Sequence, residues 1–143
     1  MSEPGRYLEP SYEAMRDWVR RGVQGPVVML NLLRFREIAD YTAHPELAPS
    51  QPISGAEAFS RYVAHTMPHL LASGGSLAFL GEGGHVVIGP PDERWDAVML
   101  VRQRSVADFI AFASNADYAR GLGHRVAALE DARLLPMVET PAL

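Results

Sequence analysis

Val27-Val28-Met29-Leu30-Asn31-Leu32-Leu33-Arg34-Phe35 is the stretch on which the fold turns. It follows the turn Gln24-Gly25-Pro26 and is apolar on both alternating sets of positions. A strand with one face in water alternates apolar with polar residues, so a run apolar on both sets calls for cover on both faces. Asn31 is the exception. It shares a face with Met29, Leu33 and Phe35, and a buried amide costs a few kcal/mol unless it is hydrogen-bonded to protein, water or ligand, so a bond to a neighbouring loop is expected of it if its role is structural.

Outward from this strand, the chain predicts an ordered series of elements. Upstream, Tyr12, Met15, Trp18 and Val19 fall at helical spacing behind Ser11, an N-cap, and before Gly22, a stop, which predicts a short amphipathic helix over 11–22. Downstream, residues 36–54 lose periodicity and hold Pro45, Pro49 and Pro52. A loop of this length is either functional, such as a lid over a site, or a tolerated insertion with a helical turn around 36–41. Ser54-Gly55-Ala56-Glu57 is a capping box that opens a helix to about Leu71, with a kink expected at Pro68. Ser76–Glu82 and His85–Ile88 read as one long strand bulged at Gly83-Gly84, followed by a turn over 89–94 and a strand over 96–104. Ser105-Val106-Ala107-Asp108 starts another helix, a further helical piece spans about 117–130, and 133–138 reads as a last strand, which Pro136 confines to an edge or a bulge.

The core order is thus strand, helix, strand, strand, helix, strand. This is the split βαβ or ferredoxin-like arrangement, an α+β fold whose antiparallel sheet carries both helices on one face. The strands 27–35 and 97–101 still need cover on the other face. In a chain of 143 residues, the size of one domain, that cover is expected to be a second copy, giving a C2 dimer. The domain would span 26–138, with 36–54 as an insertion, preceded by a helical extension over 1–25 and followed by a tail over 139–143.

Several segments resemble a known family. Asn31-Leu32-Leu33-Arg34-Phe35, Ser54-Gly55-x-Glu57-Ala58-Phe59-x-x-Tyr62, Gly74-Gly75, Ile88-Gly89, Arg94-Trp95-Asp96, Phe109, Asp117-Tyr118 and Arg125-x-x-Ala128-Leu129-x-Asp131-x-Arg133-Leu134 together resemble the uncharacterised family called domain of unknown function 1330. The resemblance covers about residues 26–138. It implies a dimeric α+β barrel, in which two ferredoxin-like sheets close on each other, and it brings no reaction and no catalytic residues. The N-terminal helix and the 36–54 segment look like additions to that core.

Composition narrows the chemistry. There is no Cys, and all 13 basic residues are Arg. A thiolate nucleophile, a disulfide, a thiolate zinc site and a Lys Schiff base are therefore excluded. With 17 acidic residues the net charge is −4, which lacks the basic excess of nucleic-acid binders. No apolar run is long enough to span a membrane, and Met1–Arg6 carries no leader signal, so a cytoplasmic location is expected.

The candidate site residues follow from what remains. His65 and His69 lie four apart on one helical face, a spacing that can bind zinc; Pro68 intervenes, no third ligand follows, and no metal or cofactor is expected. With Tyr62 they line one helix flank, at solvent or facing a pocket, where Tyr62 and His65 are candidates for proton transfer. Asn31, Arg34, His69, Arg102, Tyr118 and Arg125 are candidate ligand-binding residues, with Arg34 suited either to grip a carboxylate or to form a surface ion pair. Arg102 and Arg104 alternate onto one strand face with Val98 and Leu100, and inside a barrel they would need carboxylates or an anionic ligand. Trp95 is expected to pack over the sheet edge or to wall a ligand. Gly81-Glu82-Gly83-Gly84-His85 lacks the residues and the strand-to-helix setting of a phosphate loop. Two functional classes stand: a small-molecule enzyme or binder with a pocket between sheet and helices, resembling cofactor-independent oxygenases or isomerases at fold level only, or a non-catalytic dimeric binding or interaction module.

Overall fold

The computed structural model describes residues 5–142; the expectations for residues 1–4 and 143 lie outside them. Helix α1 (Tyr12–Arg20) precedes β1 (Val27–Phe35), α2 (Gly55–Ala72), β2 (Ser76–His85), β3 (Arg94–Gln103), three short helices α3 (Val106–Ala113), α4 (Ala116–Ala119) and α5 (Leu122–Ala128), and β4 (Leu129–Met137). All neighbours in the sheet are antiparallel, in the order β2-β3-β1-β4. That order is the ferredoxin-like one, with the apolar run of β1 at the centre.

Local chemistry sets the boundaries. The Ser11, Ser54 and Ser105 hydroxyls accept from the backbone N–H three residues on, closing the first turns of α1, α2 and α3. Only the serine half of the box at Ser54 forms, because the Glu57 carboxylate turns to Arg61 at 3.8 Å. Helix α1 ends before Gly22, which takes the positive φ of 63° that glycine tolerates. Helix α2 runs through Pro68 to Ala72.

Three details differ from expectation. The bulge in β2 lies between Leu77 and Phe79, while Gly83 and Gly84 continue the strand; Gly83 is needed there because a side chain would press on the Trp95 carbonyl. The last strand starts at Leu129 instead of 133, so 129–130 are strand and not the end of a helix, since Leu129, Asp131 and Ala132 pair with the end of β1. The helical turn in the 36–54 segment falls at Pro45–Leu47 instead of 36–41. This segment is tied down: Ala39 N–H donates to Ile53 O and Asp40 N–H to Ala127 O, both at 2.9 Å, and Tyr41 is buried.

One sheet face packs on the helices. Leu33, Ala97, Met99 and Ala132 meet Phe59, Tyr62 and Leu70 of α2, Phe112 and Tyr118, and the small Ala127 and Ala128. At the start of β1, Val27 and Met29 meet Trp18 of α1, whose ring lies edge-on to Phe109 at 5.5 Å. The opposite set, Val28, Leu30 and Leu32 of β1 with Val98 and Leu100 of β3, is only partly buried, and Phe79 and Leu135 beside it are half exposed. The registers Leu32↔Val98, Leu30↔Leu100, Phe79↔Leu100 and Leu30↔Leu135 place these side chains together across the sheet.

Candidate functional site

Tyr62 on α2 and Tyr118 on α4 meet inside the helix layer, with hydroxyls 2.7 Å apart and each residue 7% exposed. They belong to a run of aromatic contacts, Phe35–Phe59–Tyr62–Tyr118–Phe112, at centroid spacings of 4.5 to 6.2 Å. Burial, then the neighbouring Tyr62 oxygen, pushes the Tyr118 hydroxyl far above the ordinary phenol range. A proton held that tightly suits a structural pair better than a proton shuttle at neutral pH.

His65, one turn on from Tyr62, shares a 2.8 Å hydrogen bond from Nε2 with the Asp117 carbonyl, which ties α2 to α4. Gly121 must be glycine because a side chain would strike the His65 ring. His69 stacks obliquely on His65 at 5.2 Å. No group of three or more His, Asp or Glu side chains able to hold a metal comes together among the described residues.

The remaining candidates are scattered. Asn31 donates from Nδ2 to Met29 O at 3.2 Å, a bond within its own strand and not to a neighbouring loop. Arg125 donates to Leu8 O and so holds the N-terminal segment. Arg34 and Arg133 converge on Asp131, at 3.5 and 2.8 Å, and both guanidiniums lie over the Trp95 ring, at 5.6 and 5.2 Å. Both cations therefore lie against the Trp95 ring. Burial pushes the Asp131 carboxyl up, but hydrogen bonds from Tyr7 N–H, Arg133 and Ala132 N–H outweigh it and hold the pKa below the usual range. Arg102 is exposed and opposite Val28 on the open face, whereas Arg104 leaves that face to bind Asp108 and Ser73 O, both at 3.1 Å.

Two features escaped the sequence reading. Tyr41 of the 36–54 segment and His124 of α5 share a 2.7 Å hydrogen bond from the phenol oxygen to Nδ1, their rings edge-on at 5.6 Å. Burial, with the charges of Arg61 and His65, lowers the His124 pKa, so this imidazole is neutral near pH 7. An open groove of about 560 Å³ lies where the end of β1 and the start of α2 meet β2 and β3. Phe35, Arg36, Ser54, Ala56, Gly81, Glu82, Gly83 and Asp96 line it, and none of the eight residues singled out from sequence does. Asp96 is fixed there by accepting from Phe35 N–H at 2.8 Å.

The sheet order and the helix-covered face define an α+β protein of ferredoxin-like topology. The chain belongs to the same family as the RPA0582 protein of Rhodopseudomonas palustris, a protein of unknown function: a crystal structure of that protein is 31% identical, with a TM-score of 0.82 over 96% of this chain and 99% of the other. The structure of methylated RPA0582 is likewise 31% identical, with a TM-score of 0.84 over 96% and 98% of the two chains. No family model and no curated protein matches the sequence. No helix among the described residues is long and apolar enough to cross a membrane.

Proposed function

We propose that the protein is a homodimeric α+β barrel that binds a small organic molecule in the groove between its sheet and α2. The observation that carries the dimer is the uncovered apolar face of Val28, Leu30, Leu32, Val98, Leu100, Phe79 and Leu135. Contiguous apolar surface of this kind marks an interaction site, and a second sheet of the same composition covers it with no further partner. Residues 26–138 would form the barrel, with Arg34 and Arg102 on the faces that turn inward.

The groove has the size of a small-molecule site. It combines the apolar Phe35 ring and glycine backbone with Arg36, Glu82 and Asp96, so it favours a ligand with both apolar and charged parts. Thermal-shift screening with small carboxylates, amines and aromatics tests this, because binding to the native state raises its stability by mass action. Arg36→Ala and Glu82→Ala should abolish any shift that is found, whereas His65→Ala should leave it unchanged. A flat response to all three compound classes contradicts the binding reading.

The second reading, a dimeric module without chemistry of its own, draws on a different observation. Tyr62, Tyr118, His65, Arg125 and Asn31 all have hydrogen-bond partners inside the chain.

A further inference from the structure

Two exposed apolar features of opposite charge remain outside the open sheet face. The first is the turn between β2 and β3. Val87 is 100% and Ile88 95% exposed. The turn is tied at its base: Val86 N–H donates to Glu93 O and Glu93 N–H to Pro90 O, both at 3.0 Å, with Pro90 and Pro91 stiffening the return. The turn carries Asp92 and Glu93 and no basic residue between 86 and 93. A rigid tip with two bare aliphatic side chains loses little entropy on docking.

The second feature is the outer side of α1. Trp18 seats the helix on the core, but Tyr12 is 75% and Val19 48% exposed. With Met15, Arg16 and Arg20 they line a shallow groove of about 310 Å³. Arg16 and Arg20 follow one another at i, i+4 and Arg21 adds a third guanidinium, against the two carboxylates Glu13 and Asp17, so the helix end carries a small basic excess. Tip and groove are complementary in apolar character and in sign of charge: Val87, Ile88, Tyr12 and Val19 are exposed, and although Arg16 already meets Asp17 at 3.4 Å and the Glu93 carboxylate accepts from Trp95 Nε1 at 3.4 Å, Asp92 on the tip and Arg20 on the groove are of opposite sign.

We propose that the 86–93 hairpin of one copy docks in the α1 groove of a second copy, with Val87 and Ile88 against Tyr12, Met15 and Val19, and Asp92 facing Arg20. In a twofold dimer the contact forms twice, because each chain supplies one tip and one groove. The proposal rests on the homodimer reading and adds to it a second contact outside the sheet face.

The cysteine-free chain provides a direct test. The full-length double variant Val19→Cys/Ile88→Cys, oxidised at micromolar concentration, should give a covalent dimer on a non-reducing gel, while either single variant stays monomeric there. Val87→Ser/Ile88→Ser changes only exposed side chains, so it should keep the parental circular dichroism and melting temperature at high concentration. It should weaken self-association in sedimentation equilibrium by roughly 30-fold or more. Covalent dimer together with weakened association supports the docking. A dimer that persists unweakened in the serine variant, with no cross-link in the cysteine pair, overturns the docking and leaves the face-to-face dimer standing. A parent chain that is monomeric throughout overturns both.

Discussion

Removing one hydroxyl from the Tyr62–Tyr118 pair should cost more than removing both. The two oxygens lie 2.7 Å apart in a layer where each residue is 7% exposed, and their surroundings are Phe59 and Phe112. In Tyr62→Phe or Tyr118→Phe the ring contacts survive, but the remaining hydroxyl is left buried without its partner, a penalty of about 1–3 kcal/mol. In the double variant no orphan remains, and the cost falls to about 1 kcal/mol or less, because a hydrogen bond exchanged against water contributes little net stability. The coupling between the two sites, the sum of the single costs less the double cost, is then about 1–5 kcal/mol, above the few tenths expected of independent positions. Urea unfolding of the parent, the two single variants and the double variant, read by circular dichroism, gives all four corners of the cycle. Additive single-variant costs would contradict the pairing of the two hydroxyls. They would mean that each hydroxyl reaches another partner, and the pair would return as a candidate for contact with a solute.

Acid should destabilise the protein in two steps. His124 and Asp131 both have folded pKa values below their ordinary ones, so each favours the native state above its unfolded pKa, and that contribution is lost as pH falls through the folded value. Melting temperature should therefore decline below about pH 6.5 for the imidazole and again below about pH 4 for the carboxyl; His124→Gln should flatten the first decline and Asp131→Asn the second. Adjacent glycines in β2 should behave oppositely. Gly83→Ala presses on the Trp95 carbonyl and should cost about 1–3 kcal/mol, whereas Gly84 has open space, so Gly84→Ala should be neutral or stabilising by up to about 1 kcal/mol. Chemical denaturation of the two variants decides this.

How much of this was legible depended on the range of the signal. Strand β1 could be read to the residue because its apolar run and flanking turn are local, and the ferredoxin-like order followed from capping serines and periodicity. The start of β4 was misread because Ala127, Ala128 and Leu129 continue a helical pattern; only pairing with β1, some ninety residues earlier, makes 129–132 a strand. Asn31 was flagged correctly as a polar break but given the wrong partner, since nothing in the sequence distinguishes a bond to the strand's own carbonyl from one to a loop. The Tyr41–His124 contact joins residues 83 positions apart in segments without mutual pattern. The groove was invisible for a different reason: the small Ala56 and the glycines Gly81 and Gly83 shape it by the space they leave open, and sequence patterns register side chains that are present.

A second copy covering the open face of the sheet would double the mass of the particle in solution. Sedimentation equilibrium of the parent chain and of Leu32→Glu, which puts a charge in the middle of that face, tests it most directly. The parent is expected to show twice the 15.7 kDa chain mass at micromolar concentration, and the folded variant a single chain mass. A parent that sediments as a single chain, or a Leu32→Glu variant that remains dimeric, contradicts it.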